Sequence, residues 1–145
     1  MLESSKLKIK KVNENAIVPK RAKKGDSGLD LFSCENYNLK PGERKLFSTG
    51  WQMEVPEGYE IQIRTRSGLA IKNGIIVCNS PGTVDSGFRQ EVKVILINLS
   101  DTSYFIPIGA RIAQIVVVAV NLWEPEEVEE LSESDREGGF GSTGV

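Results

Sequence analysis

The sequence predicts an all-β domain of the sandwich, barrel or jelly-roll class. Apolar and polar residues alternate with a period of two along most of its hydrophobic runs. Turn signals break those runs at short intervals: Pro41-Gly42, Pro56-Glu57-Gly58, Asn73-Gly74, Pro81-Gly82 and Pro107-Ile108-Gly109. No stretch holds a convincing helical period. Many short strands with regular turns, in a chain of 145 residues, describe one β-rich domain.

The elements follow in order. Lys6, Lys8, Lys10, Lys11, Lys20, Arg21, Lys23 and Lys24 form a basic N-terminal group with no aromatic residues between them. Charge of this kind guards exposed strand edges, a reading favoured over attraction to a polyanion. Gly25 to Ser33, "GDSGLDLFS", holds a strand-like run with Asp30 between Leu29 and Leu31. Taken alone, that aspartate reads as facing solvent. Trp51, Met53 and Val55 alternate with Gln52 and Glu54, and Tyr59, Ile61 and Ile63 with Glu60, Gln62 and Arg64, as half-buried strands do. Ser67 to Lys72 has room for one short turn of helix. Cys78 to Val92 contains a Pro-Gly turn that reads as a hairpin. Val92 to Ile97 is another strand, and the nearly continuous apolar run Arg111 to Val120 reads as a strand buried on both faces. The core is expected over residues 1–123. Residues 124–145 form an acidic linker and a glycine-rich C-terminal lid.

Composition narrows the chemistry. Residues 1–123 carry 17 Lys or Arg against 12 Asp or Glu, whereas residues 124–145 carry 8 acids against the single Arg136. There is no histidine, which removes Ser-His and Cys-His dyads and His-ligated zinc. Acid–base work falls to Asp, Glu, Lys, Tyr or Cys. Cys34 and Cys78 are expected as free thiols. No apolar run is long enough to span a bilayer and no signal peptide is visible, so a cytoplasmic location without a membrane partner is expected.

Four internal segments carry polar groups that a plain sandwich does not need. Besides Asp30, Arg66-Ser67-Gly68 puts a forked cation, a small donor and an open backbone N–H at a strand end, a set suited to phosphate oxygens. In "CNSPGTVDSGFRQEV", Cys78 to Val92, backbone groups can face a base, Asp85 can take a proton from water and Phe88 can pack on a sugar. Gln114 interrupts an apolar strand, and a buried amide there must find partners or cost about 1–3 kcal/mol. The tail "GGFGSTG", Gly138 to Gly144, adds backbone freedom, an aromatic ring and two hydroxyls.

Together, in this order and spacing from about Pro19 to Val145, these five segments resemble the trimeric dUTPase family. The phrase "PEGYEIQIRTRSGLAIKNGI", Pro56 to Ile75, is similar to bacterial members. The resemblance implies a jelly-roll-like subunit, a homotrimer with shared active sites, and Mg2+-dependent hydrolysis of dUTP to dUMP and pyrophosphate. It implies phosphate contacts from Arg66, Ser67, Gly68 and Gln114. Asn79 and Gly82, Thr83 and Val84 are implied to read uracil, with Phe88 against the deoxyribose. Asp85 is implied as the base that orients and deprotonates water, and Asp30 as a residue near the metal through water. Arg136, Phe140, Gly141, Ser142 and Thr143 are implied to close over base and phosphates. No stable nucleic-acid partner is expected.

Three features depart from the family pattern. Thr65 replaces the proline that commonly precedes Arg-Ser-Gly. Phe88 lacks the usual tyrosine hydroxyl, and the tail is one residue shorter between Arg136 and Phe140. The alternatives are a dCTP deaminase-related or bifunctional enzyme of the same fold, which would release ammonia, and a non-catalytic nucleotide-binding β-sandwich module, which would release no pyrophosphate.

Overall fold

A computed structural model describes residues 6–142 and 144. Its strands are β1 (Lys8–Lys11), β2 (Leu29–Phe32), β3 (Tyr37–Leu39), β4 (Arg44–Glu54), β5 (Tyr59–Arg64), β6 (Ile75–Val77), β7 (Gly82–Val84), β8 (Glu91–Asn98), β9 (Tyr104–Ile106) and β10 (Arg111–Ala119). One helix, α1 (Ser67–Asn73), lies between β5 and β6. Two four-stranded sheets, ordered β1-β4-β8-β6 and β2-β10-β5-β7, accompany the small pair β3-β9. Sheet neighbours are distant in sequence and antiparallel, giving the jelly-roll-like arrangement that the turn spacing predicts.

The period of two produces the core directly. Val92, Val94 and Leu96 of β8 and Ile61 and Ile63 of β5 are buried, with Phe47, Leu31, Leu39, Ile106, Ile112 and Ile115 among them. A side chain of this size contributes about 1.5–3 kcal/mol when fully buried. The buried Asn98 is fully paired: its Nδ2 donates to the carbonyls of Leu39 (3.0 Å) and Thr102 (2.9 Å), and its Oδ1 accepts from Ser100. The basic N-terminus does what its charge pattern suggests. β1 is an edge strand, and Lys8, Lys10 and Lys11 are exposed along it.

Two expectations are corrected. β10 is not buried on both faces: Ile112, Ala113 and Ile115 are buried, but Val117 and Ala119 are exposed. Its first half is flanked by both β2 and β5, while its second half pairs with β5 alone. Residues 78–92 do not make a hairpin either. β6 pairs with β8 in one sheet, whereas β7 pairs with β5 in the other. Ile75 and Val77 bury against one sheet and Val84 against the other, so Cys78 to Pro81 forms a corner between sheets. The short turn expected at Ser67 to Lys72 is the seven-residue α1, closed by Gly74 in the left-handed region at φ 66°.

Away from the polar segments, a small charged cluster ties β4 to the loop after β2. Glu35 accepts from Lys45 Nζ and from the backbone N–H of Ser48 (3.2 Å). Burial opposes its ionisation, but these hydrogen bonds and the lysine charge outweigh that, and its pKa falls below the usual value. Both cysteines are free, Cys34 buried and Cys78 exposed. Burial, then the charges of Glu91 and Glu35, pushes the Cys34 thiol up. Beyond Ala119 the described residues form no further strand or helix, and no helix among the described residues is long and apolar enough to cross a membrane.

Candidate active site

Sheet register assembles the first cluster. β10 lies between β2 and β5, and Gln114 stands opposite Asp30 on one side and Arg64 on the other. β5 then ends, and Arg66 takes the extended conformation that starts α1 without capping it through its side chain. The guanidinium is thereby available elsewhere. Its Nε donates to Asp30 Oδ1 at 3.2 Å, while Arg111 Nε lies 4.0 Å from Asp30 Oδ2. Asp30 is thus not the solvent-facing carboxylate that its neighbours alone suggest; its side chain is 16% exposed and paired.

Gln114 is satisfied rather than buried without partners. Its Nε2 donates to the Thr65 carbonyl at 3.1 Å. A Cβ at Gly28 would meet Gln114 Oε1, the end of a flexible side chain, so glycine there leaves room for this orientation of the amide. Asp30, Arg66, Ser67, Gly68 and Gln114 line one recess of about 250 Å³ together with Ala22 and Arg111. Two guanidinium groups face one carboxylate, leaving net positive charge for an anion. Ser67 and Gly68 are exposed at the start of α1, where the first backbone N–H groups of a helix have no intrahelical acceptor.

A second recess, of about 560 Å³, holds Asn79, Gly82, Thr83, Val84 and Phe88 against the apolar wall of Ile63 and Val94. Gly82 packs tightly: an added Cβ would sit 3.3 Å from Ile63 Cβ and 3.4 Å from Asn79 Nδ2. Asp85 is exposed just after β7, and its carbonyl accepts from Phe88 N–H at 3.1 Å. Arg89 pins this loop, donating to the Ser86 carbonyl at 2.6 Å and pairing with Glu54 at 3.1 Å.

The sequence-predicted residues therefore fall into separate groups. The two recesses share no lining residue. Arg136, Phe140, Gly141 and Ser142 line neither, and Phe140 is fully exposed. Thr143 lies outside the described residues. Sequence reasoning missed Arg111, Gly28 and the Thr65 carbonyl. Arg111 falls three positions before Gln114, but its proximity to Asp30 depends on a register shift in β10 that no local pattern signals. Among the described residues no three acidic or thiol groups converge as a metal cage. With Asp30 already facing two arginines, the donor set fits Mg2+ carried on phosphate oxygens and water better than a cation held directly by protein.

A family model described as dUTPase matches residues 14–144. The chain is 52% identical over 141 residues to the deoxyuridine 5'-triphosphate nucleotidohydrolase of Clostridium novyi (strain NT), covering 97% of this chain and 99% of that protein. It is 55% identical over 142 residues to the protein of the same name from Hydrogenobaculum sp. (strain Y04AAS1), covering 97% and 99%. Among solved structures, the Staphylococcus bacteriophage 80alpha dUTPase with dUPNHPP superposes with a TM-score of 0.91 at 32% identity, covering 98% of this chain and 100% of that one. A mutant dUTPase from phage phi11 of S. aureus, described as revealing the coordination of a structural Mg(II) ion, gives a TM-score of 0.83 at 26% identity, covering 89% and 100%. A match that runs through both recesses and into the glycine-rich tail shows that this chain belongs to the dUTPase family.

Proposed function

We propose that this protein hydrolyses dUTP to dUMP and pyrophosphate, keeping uracil out of DNA and supplying dUMP for thymidylate synthesis. The observation that carries the reading is the Asp30–Arg66 pair, set beside Ser67, Gly68 and Gln114 in one positively biased recess. The relatives named nucleotidohydrolases, about half identical over nearly the whole chain, support it.

The triphosphate lies against Arg66, the Ser67 hydroxyl and the N–H groups that open α1, with Gln114 at the rim. Uracil enters the corner between Asn79 and Val84, and Phe88 packs on the deoxyribose. Rejecting thymine by contact alone is worth about 1–3 kcal/mol for one methyl, so the tight backbone at Gly82 must exclude it sterically. Cytosine is rejected because backbone groups matched to uracil's edge are left unpaired against it. Asp85 orients water for attack at the α-phosphate and accepts its proton. Mg2+, when bound, would supply charge to offset the phosphates, and Asp30 is the residue that would reach it, through water. Arg136, Phe140, Gly141, Ser142 and Thr143 close over base and phosphates as a lid.

The assembly is a homotrimer in the cytoplasm with sites shared between copies. The two recesses share no lining residue within one chain, which is compatible with phosphate and base subsites supplied by different copies. The test is pyrophosphate release from dUTP, dCTP, dTTP and UTP with and without Mg2+. Release confined to dUTP is expected. Ammonia from dCTP would identify a deaminase, and no release from any nucleotide would contradict hydrolysis.

A further inference from the structure

Thr65 stands where the family resemblance leads one to expect proline, and its two oxygens hold different partners. Its carbonyl accepts from Gln114 Nε2 at 3.1 Å, and its hydroxyl oxygen accepts from the backbone N–H of Val77 at 2.9 Å. Thr65 immediately precedes Arg66-Ser67-Gly68. Val77 ends β6, lines the second recess, and lies two residues before Asn79.

The second bond fills a specific vacancy in the ladder. β6 is the edge strand of its sheet. Cys78 N–H bonds across the ladder to the Ile95 carbonyl at 2.8 Å, so the preceding N–H, on Val77, faces the open side. Val77 is buried, where a backbone donor must find a partner. The hydroxyl of Thr65 provides it. Proline keeps the carbonyl but has no side-chain acceptor, so this tie is particular to the threonine.

We propose that Thr65 is a positioning residue whose hydroxyl ties the base-reading corner, Asn79 to Val84, to the phosphate-binding turn, Arg66 to Gly68, of the same chain. The kinetic consequence rests on the dUTP-hydrolase reading above. The same short segment holds Gln114 through its carbonyl and the corner through its hydroxyl. Loss of the hydroxyl frees the start of the corner, which shifts base selection before it shifts phosphate contacts.

The test compares full-length wild type with Thr65→Val, which keeps the shape without the acceptor, and Thr65→Ser, which keeps the acceptor. KM and kcat for dUTP, selectivity for dUTP over dTTP, and amide hydrogen exchange at Val77 are measured. Thr65→Val is expected to raise KM about five-fold, reduce selectivity by a similar factor, leave kcat less affected and speed Val77 exchange, by the loss of one hydrogen bond. Thr65→Ser restores all four. A Thr65→Val protein with wild-type KM and selectivity, even if its Tm falls, overturns the proposal. Failure of wild type to release pyrophosphate from dUTP sinks the hydrolase reading instead. Val77 exchange then decides the tie alone: unchanged protection in Thr65→Val overturns it, and faster exchange rescued by Ser upholds it.

Discussion

Gln114 is held from two sides, and that constraint reaches beyond the glutamine. The Thr65 carbonyl takes its Nε2, and Gly28 leaves just enough room for its Oε1. Gly28→Ala forces the amide out of this arrangement and is expected to lower kcat/KM for dUTP about five- to ten-fold, the worth of one misplaced hydrogen bond. Because the effect passes through Gln114, adding Gly28→Ala to Gln114→Ala should cost nothing further, and a steady-state double-mutant cycle reads this directly. Asp30 illustrates what a local pattern misses. Between two leucines it reads as solvent-facing, but its partners come from positions 66 and 111. Only the order of five segments pointed to its role, since a sequence window of nine residues contains neither arginine.

Strand periodicity made β4, β5 and β8 legible, because alternating burial is written in the residues themselves, whereas the continuous apolar run of β10 concealed its exposed face. Pairing was not. The Pro81-Gly82 turn suggested a hairpin, yet β6 and β7 join different sheets, and the hydrophobic pattern of three-residue strands cannot specify which. At this scale the Glu35–Lys45 tie predicts an acid response. Glu35 has a lowered folded pKa, so its contribution is fully present above the unfolded carboxyl pKa and disappears as pH falls through the folded value. Glu35→Gln should cost about 1–2 kcal/mol near neutral pH, and the difference from wild type should vanish on acidification. Urea melts across that range measure it. The tail makes a separate prediction. Deleting residues 138–145 removes no core residue among those described, and Phe140 lines neither recess in the isolated chain. Turnover should fall at least ten-fold with Tm and oligomeric state unchanged, the result expected of a lid.

For the whole molecule, the candidate site residues are spread over two recesses, and the described tail residues line neither. The Asp30–Arg66 group carries positive bias and the Asn79–Phe88 group carries shape, but they share no residue within one chain. On the trimer reading proposed above, a second copy would bring its corner to the first copy's phosphate turn. Such an arrangement would set a partner surface beside Asp85, which is exposed in the isolated fold. It would also offer a cover for the exposed Val117 near the end of β10. Composition narrowed the chemistry through the missing histidine, whereas the sharing of a site between copies was implied only by the family resemblance and remains a proposal.

The most direct test is pyrophosphate release from dUTP by mixed assemblies. Arg66→Ala and Asp85→Asn each inactivate every site when present alone. If Arg66 and Asp85 of one site come from different copies, co-expression in equal amounts restores activity. About a quarter of the sites in a random closed ring then pair an intact Arg66 with an intact Asp85. Recovery to that level is the predicted result. Mixed assemblies as inactive as either variant alone would contradict a site shared between copies.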